Sequence, residues 1–127
     1  MEKFAKFARI AEVEFSDIVL STHGLDLKLR IYLKDKSFID FFFTTNLKKQ
    51  RISIHWERAH IDKTIYRIDN TPDKNWRKVA TYPLHFHNRE YNQVENLPFI
   101  ISENISLEDI FREFLSFSRK IIARTSS

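Results

Sequence analysis

The sequence contains no cysteine and a single glycine, Gly24, among its 127 residues. Without cysteine there is no disulfide framework and no thiolate nucleophile, and a zinc site would have to draw on histidines and carboxylates. With one glycine there is no phosphate-cradling loop, no dinucleotide fingerprint and no G-x-S-x-G elbow, which removes the common nucleotide-cofactor enzymes and the elbow-type serine hydrolases. Long apolar runs are missing too. The opening MEKFAKFARIAEVEF is broken by Lys3, Lys6, Arg9, Glu12 and Glu14, so it has neither the core of a signal peptide nor the length of a membrane span. The expectation is a soluble cytoplasmic protein with no membrane association, no cofactor and no bound metal.

What is present is globular. A chain of this length suits one domain, residues 1–127, with a core that needs no staples. Hydrophobic residues make up 43%, and phenylalanine alone occurs 12 times, so large rings should dominate the buried surface. The formal charge of +4 is unevenly spread. From Lys28 to Arg89 there are 14 basic against 6 acidic residues, a balance of +8, while the rest of the chain carries 7 against 11, a balance of −4. A basic sheet would attract a polyanion such as RNA. Solvated lysines that discourage edge pairing account for the same counts.

Phe4, Phe7, Ala8, Ala11 and Phe15 recur at offsets of three and four, the stripe of an amphipathic helix ending near Glu14. DIVLST and LDLKLRIYL then read as strands joined by a hairpin around His23-Gly24, with a longer helix capped at Gly24 as the rival. SFIDFFFTT, RISIHWER and TIYRID follow as strands separated by short polar turns, and VATYPLHFH is extended again, with Pro83 marking an edge or bulge. No regular element is expected from Asn88 to Asn104. Ser106, with Asp109 three residues on, opens a final helix whose stripe is Leu107, Ile110, Phe111, Phe114, Leu115, Ile121 and Ile122. Together these predict a single α+β domain: a twisted antiparallel meander of five or six strands flanked by an N-terminal and a C-terminal helix.

The residues that could carry chemistry gather around Asn70-Thr71-Pro72, a strong turn signal. Tyr66, Asp69 and Asn70 lie at the end of one strand, and Tyr82, His85 and His87 on the next extended segment. Alternate residues of a strand share a face, so the two histidine α-carbons would stand roughly 7 Å apart. Imidazoles titrate near neutrality, and a pair of them can act as general base and general acid in cleaving RNA through its own 2′-hydroxyl, with no metal and no cysteine. In that reading His85 and His87 are the acid–base pair, Asp69 orients one ring, and Arg67 or Lys78 holds phosphate, with Asn70, Tyr66 and Tyr82 completing the substrate contacts. The plainer reading makes the histidines exposed polar surface and the tyrosines core rings with wet hydroxyls. The H-x-H spacing does not define a metal site, because no third ligand is fixed by the sequence.

Taken in order, LRIYLKDKSFIDFFF, ISIHWER, IYRIDNTP and TYPLHFH resemble the TumE-like family of toxins from type II toxin–antitoxin pairs. The similarity runs over about residues 27–123, with SLEDIFREFLSFSRKI resembling the usual ending. The family pattern is an aspartate-asparagine-x-proline-histidine turn followed by a phenylalanine-proline-histidine-histidine-x-histidine segment. Asp69, Asn70 and Pro72 match the first part, and Pro83, His85 and His87 the second. Asp73 and Leu84 stand where the family has histidines, and Tyr82 replaces the phenylalanine. The resemblance implies a toxin with a cognate antitoxin as partner and leaves the reaction open. RNA is the second candidate partner. A non-catalytic module that docks a protein through the sheet or its edge is the alternative function.

Overall fold

The computed structural model describes residues 2–44, 51–69, 85–88, 93–95 and 105–125. Helix α1, Glu2–Arg9, continues through a π-helical turn, Ile10–Glu14. Five strands follow: β1, Val19–Leu25; β2, Lys28–Leu33; β3, Phe38–Phe43; β4, Ile52–Arg58; and β5, Thr64–Asp69, with the short helix α2, Ala59–Asp62, before the fifth. Strands β6, His85–Asn88, and β7, Gln93–Glu95, lead to the long helix α3, Leu107–Thr125. The strands form one seven-stranded sheet in sequence order, every neighbour antiparallel. This is the expected α+β meander with terminal helices. It gains one strand over the expected five or six, because β7 lies in the 88–104 stretch where no element was expected.

Alternation makes the sheet two-faced. Leu29, Ile31 and Leu33 of β2, Ile39, Phe41 and Phe43 of β3, Ile52, Ile54 and Trp56 of β4, and Tyr66 and Ile68 of β5 are all buried. The helices seal this face through rings. Phe7 lies 4.7 Å from Phe41 and 5.3 Å from Phe111, Phe41 lies 4.8 Å from Phe111, and Phe117 reaches Tyr66 at 5.2 Å. Such pairs add about 0.5–1.5 kcal/mol each beyond their area. Helix α3 begins as its sequence requires, with the Asp109 amide donating to Ser106 Oγ at 3.1 Å, although the Asp109 carboxylate turns to Arg112 rather than back to the cap.

The turns correct one expectation. The β1–β2 hairpin does not turn at His23-Gly24: Gly24 lies within β1, paired with Leu29, and has no positive φ. The two loop residues are Asp26 and Leu27, between the paired Leu25 and Lys28, and Asp26 takes the left-handed position at φ 52°. Aspartate tolerates that region by bonding its own backbone, so a glycine was not needed there. In the β2–β3 loop Lys36 does the same at φ 76°, in the slot that a three-residue hairpin usually gives to glycine.

Alternation also carries a charge inside. Arg58 continues the Ile52, Ile54, Trp56 series and is 1% exposed. Its guanidinium lies over Trp56 and donates to Asp35 at 2.6 Å and to Asp62 at 3.0 Å. The Ser37 hydroxyl donates to Asp35 and accepts from Trp56 Nε1 at 2.9 Å, and Arg58 also reaches Thr125 at 3.4 Å. One cation thereby ties the β2–β3 turn, β4, α2 and the end of α3. Burial works against the charged forms of Asp35 and Asp62, but their hydroxyl, backbone and Arg58 hydrogen bonds outweigh it and hold both carboxyls below the ordinary aspartate value. Removing the cation strands two carboxylates. Arg58→Ala is therefore expected to lower unfolding free energy by about 3–5 kcal/mol in urea denaturation.

Candidate functional site on the open sheet face

The second face of the sheet carries the other residues of each strand, which include Phe38 and Phe42 of β3 beside the polar ones. Ring contacts from α1 and α3 go to Phe41, Phe43, Trp56 and Tyr66, on the opposite side. Directly paired residues of neighbouring antiparallel strands share a face. Following the register gives a row across the sheet: His23 pairs with Arg30, Arg30 with Asp40, Asp40 with His55, His55 with Arg67, and Arg67 with His87. A parallel row runs Phe42, Ser53, Asp69, His85. The two histidines of the H-x-H segment thus occupy register positions opposite Asp69 and Arg67, where α-carbons stand about 4.5–5.5 Å apart. Asn70, Lys78 and Tyr82, expected among the substrate contacts, lie outside the described residues, as does the Pro72 turn.

Tyr66 leaves the site. It is three residues from Asp69 on one strand, so the two side chains point to opposite faces, and the tyrosine is 8% exposed in the core, 5.4 Å from Trp56 and close to Phe117. Asp69 is nearly buried, and its carboxylate lies 2.9 Å from Arg67 Nε. His55 is half-buried with Nε2 3.7 Å from Glu57. His23, read as a turn residue, is an exposed residue of β1 in edge-to-face contact with Tyr32.

The charge on this face is also corrected. Lys28 and Arg30 both bind Asp40, the arginine through two bonds of 2.7 and 2.9 Å and the lysine at 2.8 Å. With the Arg67–Asp69 pair and Glu57 included, the described residues of the face carry three cations and three carboxylates. It is a paired array and not a basic sheet. Of the other described basic residues in the 28–89 span, Lys34, Lys36, Arg51 and Lys63 sit exposed in or beside turns, and Arg58 is buried. Turns expose lysine ammoniums fully, whereas a mid-sheet position would partly desolvate them.

Sequence reasoning missed the continuity of the histidine-cation-carboxylate row, which pairs residues far apart in the chain. It also missed Arg58, although the alternation from Ile52 onward carried the signal. An α+β protein whose one-sided sheet gathers imidazoles, guanidinium and carboxylate on its open face is the class these features define. A family model described as Toxin TumE matches residues 2–123, and the chain belongs to that toxin family. No curated protein and no solved structure matches it. Among the described residues no helix is long and apolar enough to cross a membrane.

Burial disfavours the Asp40 carboxylate, but Arg30 and Lys28 overcome it and hold the group below the ordinary 3.8, while Asp40 in turn raises Arg30. A depressed carboxyl adds stability that is complete above its unfolded value and is lost as pH falls through its lowered folded value. Acid titration of the folded protein should show Asp40→Asn losing less stability than the parent below pH 3.8, with the two differing most in neutral solution.

Proposed function

We propose that this toxin acts on RNA, cleaving it without metal through His85 and His87, and that a cognate antitoxin protein restrains it. The observation that carries the reading is the β5–β6 register, which pairs Asp69 with His85 and Arg67 with His87. An aspartate beside an imidazole fixes the ring's tautomer and favours its protonated form, while the neighbouring imidazole can stay neutral and take a proton. One ring abstracts the 2′-hydroxyl proton and the other protonates the leaving 5′-oxygen. Arg67 and Lys78 offset the charge that develops on phosphorus, and Asn70 and Tyr82 contact the nucleotide. Tyr66 has no part in this, because it belongs to the core. The toxin acts in the cytoplasm, where its RNA target and its antitoxin are both present. The non-catalytic alternative draws support from the internal pairing of the open-face charges, which lowers the pull on a polyanion.

Expression of the wild-type chain is expected to arrest growth, with single His85→Ala and His87→Ala variants losing at least about a hundredfold in RNA cleavage. The products should end in a 2′,3′-cyclic phosphate, and chelator should leave the rate unchanged. Folded double variants that still arrest growth would remove the histidines from the mechanism, and arrest with intact RNA would favour the binding module.

A further inference from the structure

Strand β1 ends the sheet, so among the described residues one side of its backbone has no neighbouring strand. Natural edges are usually blunted by charge, proline or a cover. This one, VLSTHGL, has no charged residue and no proline, and its only irregularity is an extra residue between Val19 and Ser21. Exposed large apolar side chains concentrate around it. Among the described residues they are Val13, Leu20, Leu25, Leu27 and Ile61, and only Ile61 lies elsewhere. Leu20 and Leu27 are 68% and 67% exposed.

The chain's single glycine belongs to this edge. Gly24 pairs with the buried Leu29, so its missing side chain is on the helix-bearing face. No positive φ requires a glycine there, and a glycine inside a strand forfeits packing and backbone entropy. Beside it lies a cleft of about 280 Å³ lined by Lys3, Phe4, Gly24, Asp26 and Leu27. Glycine in a strand often marks the close approach of another chain.

We infer that β1 is the docking edge for the antitoxin, which adds an extended segment to the sheet and places an apolar side chain in the cleft over Gly24. This rests on the toxin–antitoxin reading above. A free strand edge is satisfied only by another extended backbone, and alternate side chains of that strand supply specificity. Charge selects a different protein over a second copy of this chain. The Glu12 carboxylate accepts from Thr22, the middle residue of β1. Antiparallel self-pairing about that residue would bring two Glu12 carboxylates together, which is unfavourable. A partner strand with a lysine or arginine opposite Thr22 gains an ion pair instead.

The test uses the full chain co-expressed with the protein encoded by the adjoining reading frame, with binding affinity and amide hydrogen exchange as readouts. The inference expects a complex in which β1 amides exchange more slowly. Gly24→Val puts a branched side chain into the cleft and should weaken binding at least about tenfold without lowering the melting temperature, while His85→Ala leaves affinity unchanged. If Gly24→Val proves less stable, Leu20→Lys, on an exposed side chain, must produce the weakening instead. A complex that neither protects β1 nor responds to either variant overturns the docking edge and leaves the antitoxin reading standing. Absence of any complex overturns both, and β1 protection in the chain alone, as a dimer, overturns the choice of partner.

Discussion

Continuous antiparallel register across the sheet is the constraint on which the rest of the molecule depends. Because side chains alternate with a period of two, one residue of slip on any strand would send Phe41 or Trp56 outward and Asp40 or Asp69 into the core. The apolar face fixes the register, since Leu29, Ile31, Ile39, Phe41, Ile54 and Ile68 are all inaccessible to solvent. The polar row on the other side is its consequence: once the buried side of each strand is set, His23, Arg30, Asp40, His55 and Arg67 have no other face to occupy.

The two faces are held differently. Rings from α1 and α3 seal one through dispersion and edge-to-face contacts, which are tolerant of small shifts. At the α2 end Arg58 adds a directional lock that only one arrangement of Asp35, Asp62 and Ser37 satisfies. A buried ion pair is weak as a source of net stability, but it penalises arrangements that leave it unpaired. Exposed pairs such as Arg119 with Asp17 and Arg112 with Glu14 join α3 to the N-terminal segment and contribute much less, being solvent-screened. Among the described residues no helix ring packs on the open face, and its charges are held by ion pairs between and along the strands.

Much of this was legible in the sequence. Phenylalanine spacing gave α1, the Ser106 cap gave the start of α3, and the runs of alternating residues gave β2 to β5 as strands. The failures share a cause, which is that local signals were read without their tertiary partners. Gly24 suggested a turn because glycine usually serves one, whereas here the turn fell to Asp26 and the glycine lies within β1, lining a cleft. Tyr66 was grouped with Asp69 by proximity in sequence, against the alternation that separates them. The basic excess was read as a property of the sheet, although the described charges of the open face balance and four further cations sit exposed in or beside turns. Three-residue β7 has too short a pattern to stand out. The approach of His85 to Asp69 depends on a strand pairing across fifteen intervening residues, which no local rule specifies.

The central claim is that this β5–β6 pairing brings the two histidines beside an acid and a guanidinium on one face. Cross-strand backbone nuclear Overhauser contacts in the isotope-labelled protein measure it directly. The account predicts contacts between Asp69 and His85 and between Arg67 and His87. Contacts linking Ile68 to His85 instead, a slip of one residue that moves both histidine positions to the other face, would contradict it.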